Sequence, residues 1–197
     1  MIYDNTVLQL VKQITIEPGI HKRELSKKLN LSMPSITNGL NKLKPIIKEI
    51  KKGNQLNYYL DYSKKELTPL LTSSEFYRLK ELPSNIQIAI NELFKKLSQK
   101  PILAIIFGSY ANKTYTKKSD LDLLLVFNKI INNKKLEQTA EIISMNTGVQ
   151  INLVYLKYNE FRKSFGNLRK TFFKNLKQSN IILTGVEWWR LLKDEEA

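Results

Sequence analysis

Apolar residues recur at helical spacing in three segments at the start of the chain. Pro18 and Gly19 stop the first segment, while Ser32 is suited to the N-cap of the third and Pro34 to its first turn. The apolar positions of the three segments are, in order, Val7, Leu10, Val11 and Ile14; Leu25 and Leu29; and Ile36, Leu40 and Leu43. This pattern predicts three short amphipathic helices, over residues 4–16, over residues 21–29, and after Ser32 through Leu43.

Two runs of strand character follow these helices. Residues 46–51 and 56–60 are separated by Lys52-Gly53-Asn54-Gln55, and a Gly-Asn pair between two such runs predicts a β-hairpin. Helix, helix, turn, helix and hairpin occur here in that order, so residues 4–62 resemble the winged helix-turn-helix domains of bacterial and archaeal transcription regulators.

That resemblance implies double-stranded DNA as a partner, with the third helix in the major groove and the hairpin near the backbone. Small polar side chains on the third helix would face bases, and lysines there and on the hairpin would face phosphates. The expected base contacts are Ser35, Thr37, Asn38 and Asn41, and the expected phosphate contacts are Lys42, Lys44, Lys51 and Lys52. The alternative is a winged helix that binds another protein.

The composition changes after the hairpin. Residues 63–84 contain Pro69, Pro83 and a Thr72-Ser73-Ser74 run, which favours a linker with one short helix from about Glu75 to Leu82. From Asn85 onward, apolar residues again keep helical spacing. The expected domains are therefore 1–62, a linker at 63–84, and 85–197.

The most informative stretch of the chain runs from residue 102 to residue 127. An apolar strand over residues 102–107 ends at Gly108-Ser109, where free backbone N–H groups at a helix start favour a phosphate. Asp120 and Asp122 stand two residues apart at the start of the next apolar strand, so both carboxylates are expected on one face as oxygen ligands for Mg²⁺.

This combination resembles the DNA-polymerase-β-type nucleotidyltransferases, and most closely the small prokaryotic minimal nucleotidyltransferases. The resemblance implies an α/β (α+β) fold in which helices flank a mixed sheet. It also implies that Gly108 and Ser109 hold the phosphates of an NTP, and that Asp120 and Asp122 hold Mg²⁺, with Mn²⁺ as an alternative. In that family the metal ions activate the attacking hydroxyl and neutralise the leaving group.

The remainder of the chain is consistent with this resemblance. Apolar spacing predicts a helix through Leu136, Ala140 and Ile143, a strand over 149–156 and one long helix over 159–176. A C-terminal segment over 181–189 ends in Trp188-Trp189, which we expect in core packing or in a homodimer contact.

The chain departs from the family pattern at two places. The family's third carboxylate belongs on the strand over 149–156, where this chain has Asn152, an amide that cannot take a proton from a hydroxyl. The next acid downstream is Glu160. After the Gly-Ser, the minimal family continues with Arg-Gly, whereas this chain has Asn112-Lys113.

Composition narrows the possible chemistry further. There is no cysteine and His21 is the single histidine, which excludes thiolate and multi-histidine metal sites. The net charge of +14 favours polyanionic partners, although the excess is mostly lysine and is spread along the chain. No apolar run approaches the roughly 18 residues of a membrane span, and no signal-like start is present, so we expect a cytoplasmic protein.

Three functions follow from the sequence. The first is a DNA-binding regulator whose nucleotidyltransferase-like domain has become a nucleotide sensor or an assembly module. The second is an active enzyme that transfers a nucleoside monophosphate from NTP to a protein or an RNA. The third is an antitoxin-type protein that binds a toxin-like helical partner, an arrangement implied by the minimal family.

Overall fold

The computed structural model describes residues 4–129, 133–166 and 171–196. The chain forms two compact units, one of Met1–Glu75 with Lys193–Ala197 and one of Phe76–Leu192. Both units contain helices and a sheet, so the expected mixed α/β fold is confirmed.

The first unit begins with three helices whose caps can be read from the sequence. Asp4 caps the first helix by accepting from the Thr6 amide, and Ser32 caps the third by accepting from the Ser35 amide. His21 caps the second through Nδ1, which accepts from the Glu24 amide at 3.2 Å. The helices are α1 (Asn5–Ile16), α2 (Lys22–Leu29) and α3 (Met33–Leu43).

A three-stranded antiparallel sheet completes this unit. Its strands are β1 (Ile20–His21), β2 (Ile47–Lys52) and β3 (Gln55–Leu60), in the order β1-β3-β2. Lys52 pairs with Gln55, so the hairpin closes through the two residues Gly53 and Asn54, with Gly53 at φ +59°. The short β1 was not expected from the sequence.

The expected short helix at Glu75–Leu82 is longer and begins earlier than the sequence pattern indicates. The structure has α4 at Leu67–Lys80, so most of the expected linker is helical. Pro69 lies in the first turn of α4, where the missing N–H of proline costs no helical hydrogen bond.

The second unit holds a four-stranded sheet between helices. Its helices are α5 (Ser84–Lys96), α6 (Gly108–Asn112), α7 (Asn133–Thr147), α8 (Tyr158–Phe165), α9 (Thr171–Gln178) and α10 (Val186–Asp194). Its strands are β4 (Leu103–Phe107), β5 (Leu121–Phe127), β6 (Ile151–Lys157) and β7 (Ile181–Thr184).

The strand order in this sheet is β6-β5-β4-β7. The β4–β5 and β4–β7 pairs are antiparallel, and the β5–β6 pair is parallel with α7 as its crossover. One face of the sheet packs on α5 and α7 through a continuous apolar cluster that includes Ile106, Leu123 and Ile143. On the other face, α8 packs on β5 and β6.

The expected single helix over 159–176 is wrong. Helix α8 ends at Phe165, with Gly166 as its C-cap, and α9 begins at Thr171, while residues 167–170 lie outside the described part of the chain. Among the described residues, no helix is both long and apolar enough to cross a membrane.

Candidate functional site

One row of side chains crosses the end of the sheet in the second unit. Phe107 on β4 pairs with Asp122 on β5, and Asp122 pairs with Asn152 on β6. Directly opposed residues on neighbouring strands project from the same face. Strand pairing therefore places Phe107, Asp122 and Asn152 side by side on the face that also carries α8.

Gly108 approaches Asp122 more closely than any other residue type could. Its φ is +67°, and a Cβ built there would lie 2.2 Å from Oδ2 of Asp122. The chain therefore needs glycine at this position both for the backbone conformation and for the space that the carboxylate occupies.

The second carboxylate oxygen of Asp122 is held by Asn152. Nδ2 of Asn152 donates a hydrogen bond of 2.8 Å to Oδ1 of Asp122. Asn152 is exposed and Asp122 is half-buried, so the pair is open to solvent. The residue at the expected third-carboxylate position thus contacts the second carboxylate as a hydrogen-bond donor.

Asp120 lies one residue before β5 and is exposed. Near it, the rings of Tyr110 and Tyr115 stack with centroids 4.6 Å apart and planes 16° from parallel. Burial raises the pKa of Tyr110, and the neighbouring Tyr115 and Asp120 add to this effect. The Tyr110 hydroxyl donates at 3.4 Å to the carbonyl of Ser119. The stack therefore braces the loop that presents Asp120, a role that helical periodicity alone could not reveal.

The donor set fits one divalent ion better than two. Asp120 and Asp122 supply two carboxylates at the start of β5, and the described residues contain no cluster of three His, Cys, Asp or Glu side chains suited to a metal. Oxygen ligands of this kind suit Mg²⁺, which normally completes its shell with water and phosphate oxygens. Asn152 would have to rotate its amide to offer an oxygen.

Glu160, the alternative acid, lies away from this row. It is the third residue of α8, and its carboxylate accepts from the Lys157 amide at the far end of β6. Lys157 lies five positions after Asn152 along the strand, a rise of about 17 Å. The structure therefore does not bring Glu160 to Asp120 and Asp122.

A second aromatic side chain reaches the row from α9. The ring of Phe172 lies 5.3 Å from the ring of Phe107 in an edge-to-face arrangement of 85°. Both rings are half-buried. Sequence periodicity places Phe172 on an apolar stripe and does not link it to Gly108 or Asp122.

In the first unit, the residues expected to contact DNA are distributed over α3 and the hairpin. Asn38 and Asn41 are exposed on α3, Lys44 is exposed just after α3, and Lys51 and Lys52 are exposed on β2.

Three of the expected contacts already have partners within the unit. Oγ of Ser35 lies 2.8 Å from Oγ of Ser32, and the Thr37 hydroxyl donates to the Met33 carbonyl. Lys42 donates to Asp4 at 2.8 Å, and this hydrogen bond lowers the pKa of Asp4.

A groove in the first unit is lined by two further cations. Lys22 and Arg23, at the start of α2, line it together with residues of the hairpin and of α3. The other lining residues are His21, Met33, Asn54, Gln55, Leu56 and Tyr58. Helical periodicity did not single out Lys22 or Arg23, because they lie at the first turn rather than on the third helix.

One family model matches a large part of the second unit. Residues 88–179 match the family model of the nucleotidyltransferase domain. These residues include the whole row of Phe107, Asp122 and Asn152, so the row lies within a nucleotidyltransferase-type domain. No curated protein matches the chain.

Among solved structures, one similar chain is described as "Crystal structure of the toxin-antitoxin with AMP-PNP". It shares 17% sequence identity with this chain at a TM-score of 0.42, and the match covers 55% of this chain and 81% of that one.

Proposed function

We propose that the chain is a DNA-binding regulator whose nucleotidyltransferase-type domain binds a nucleoside triphosphate with one divalent ion and transfers nucleotide very slowly or not at all. The observation that carries this proposal is the hydrogen bond of 2.8 Å from Nδ2 of Asn152 to Oδ1 of Asp122. It supports the proposal because Asn152, at the position where the resemblance implies a third carboxylate, is an uncharged donor.

The retained residues favour binding of the nucleotide. Asp120 and Asp122 together carry two negative charges at the start of β5, and a divalent cation would relieve their repulsion. When bound, the ion supplies charge neutralisation for the phosphates. Gly108 keeps the backbone close to Asp122, and Gly108 and Ser109 begin α6, where free backbone N–H groups favour a phosphate.

Asn152 limits nucleotide transfer. An amide cannot accept a proton from an attacking hydroxyl, and the loss of general-base help costs about 10²–10⁴-fold in rate. The site is also one negative charge short for a second ion. The domain therefore suits a sensor of the nucleotide better than a transferase.

Thermal unfolding with and without NTP and Mg²⁺ or Mn²⁺ tests the binding half of this proposal. The melting temperature of the intact chain should rise with ligand, and it should not rise in the Asp120→Ala, Asp122→Ala double variant. An equal rise in both proteins would remove the two carboxylates from the site.

Transfer of radiolabel from each α-labelled NTP to cell extract tests the catalytic half. The native chain should give little or no labelled product, and Asn152→Asp should tighten metal binding and raise residual transfer. Rapid transfer by the native chain, unchanged in Asn152→Asp, would favour the enzyme over the regulator.

The first unit supports the DNA-binding half of the proposal. This unit has three helices followed by a hairpin, with a short strand between α1 and α2 and a sheet order of β1-β3-β2. The arrangement is typical of a winged helix. Asn38 and Asn41 are exposed on α3, and Lys51 and Lys52 are exposed on the hairpin.

Gel retardation of duplex DNA by the full chain tests this half. The Lys51→Ala, Lys52→Ala double variant should bind all sequences more weakly and show a smaller salt dependence. A matched control is Lys95→Ala with Lys96→Ala on α5, which removes the same charge from the other unit. Equal losses in both pairs would mean that net charge, rather than the hairpin, attracts DNA.

Base reading is a separate claim and has its own variant. Asn38→Ala should reduce the difference in affinity between specific and unrelated duplexes, because a side-chain amide can pair with a base edge. Equal weakening on every sequence would show that Asn38 does not read bases.

A further inference from the structure

We propose that Phe172, supported by Phe107, is the surface on which the base of the bound nucleotide stacks. This inference rests on the proposed nucleotide site and assigns the part of the site that receives the nucleoside. The ligand class is a nucleoside triphosphate, as distinct from inorganic polyphosphate.

Strand register connects these aromatic rings to the site. Phe107 opposes Asp122 across the β4–β5 pair, so both side chains lie on the same face of the sheet. Phe107 also immediately precedes Gly108, whose backbone contacts the Asp122 carboxylate. A ring that packs on Phe107 on this face therefore lies near the Asp122 carboxylate.

Phe172 is that ring. It lies edge-to-face on Phe107, with centroids 5.3 Å apart, near the start of α9. The next residue on the helix, Phe173, is 5% exposed and packs against Phe161 at 5.7 Å. Phe173 thus fills the core, whereas Phe172 is only half-buried.

A half-buried aromatic residue beside the proposed phosphate and metal site suits a nucleobase. Stacking of a base on an aromatic side chain is worth a factor of about 5–150 in affinity, and all bases share the π-face it uses. Phe172 therefore contributes affinity for the nucleoside in general, without selecting one base.

The test compares two ligands in three forms of the full chain. Affinities for ATP and for inorganic tripolyphosphate, each with Mg²⁺, would be measured by calorimetry in the native chain, Phe172→Leu and Phe172→Tyr. Phe172→Leu keeps apolar bulk but loses the ring, so ATP should bind about 5- to 150-fold more weakly. Tripolyphosphate should bind with nearly unchanged affinity, and Phe172→Tyr should restore ATP binding.

Trp188→Leu is the matched control. Trp188 is a 40% exposed aromatic residue that packs on Tyr158. Tyr158 directly follows the end of β6, whereas Asn152 lies near the start of that strand. This variant should leave both affinities unchanged. Because Phe172→Leu could disturb folding, the native chain provides a second measurement: stacking on Phe172 should shift the base protons of bound ATP upfield in NMR spectra.

The outcomes separate this inference from the proposal on which it depends. Equal weakening of ATP and tripolyphosphate in Phe172→Leu, no weakening of either, or no upfield shift would overturn the role of Phe172 while leaving the phosphate and metal site intact. Failure of the native chain to bind either ligand would overturn the nucleotide site itself, and the inference with it.

Discussion

Replacing Gly108 with alanine is the most direct structural test of the row at the end of the sheet. The added Cβ would lie 2.2 Å from Oδ2 of Asp122, so the carboxylate has to move. Since Oδ1 of the same carboxylate accepts the hydrogen bond from Asn152, the movement should break that bond. The variant should therefore lose both stability and nucleotide binding.

Gly148 provides a matched reference for the size of the effect. Both glycines have φ +67°, but nothing lies within 4 Å of a Cβ built at Gly148. Gly148→Ala should therefore show only the backbone cost of a left-handed alanine, about 1–2 kcal/mol. Gly108→Ala should add about 1.5 kcal/mol for the lost hydrogen bond to a charged group, at the low end of the usual range because Asn152 is exposed.

Urea unfolding followed by tryptophan fluorescence measures this difference in the right unit. The chain has two tryptophans, Trp188 and Trp189, and both lie in the second unit. Combining Gly108→Ala with Asp122→Ala should remove the extra cost, because the Cβ then meets no carboxylate. The reasoning fails if Gly108→Ala costs no more than Gly148→Ala, or if Asp122→Ala does not relieve it.

Two further predictions concern stability. Burial, with the nearby charge of Glu75, raises the pKa of Tyr62 to about 12. The stabilisation from the retained Tyr62 proton is therefore complete below pH 10 and is lost as the pH rises toward 12. Tyr62→Phe should flatten the alkaline loss of stability measured by urea unfolding, and an unchanged pH profile would contradict this. Ser144 Oγ accepts from the Ile151 amide at 3.0 Å, so Ser144→Ala should cost about 1–3 kcal/mol and speed hydrogen exchange at Ile151. Thr139→Ala is the control, because the Thr139 hydroxyl donates to the Lys135 carbonyl within α7. A similar loss of stability in the two variants would mean that the hydrogen bond from Ile151 to Ser144 adds no stability.

Local patterns in the sequence predict most of the helices and strands. The Ser32 cap, the apolar run of β4 and the spacing of α5 each act over a few residues, so each can be read directly from the chain. The local pattern misleads at Gly166, where apolar spacing continues although α8 ends at Phe165. It also underestimates α4, whose start contains Pro69.

The candidate site is only partly predictable because local sequence patterns do not determine the contacts between its side chains. The order of strands along the chain indicates that Asp122 and Asn152 are neighbours, but it gives neither the donor role of Asn152 nor the contact of Gly108 with Asp122. The approach of Phe172 to Phe107 joins residues 65 positions apart, which depends on tertiary packing and has no local signal. Helical spacing alone shows only that Phe172 lies on an apolar stripe.

The position of β7 has a consequence for the chain during its synthesis. Strand β4 is almost entirely apolar and lies between β5 and β7, so one of its edges stays unpaired until Ile181–Thr184 have been made. At about 5–20 residues per second, the ribosome needs about 3–11 s to extend the chain from Phe127, the end of β5, to Thr184. Throughout that interval the nascent sheet presents an open hydrophobic edge, the kind of surface that chaperones bind and that aggregates extend.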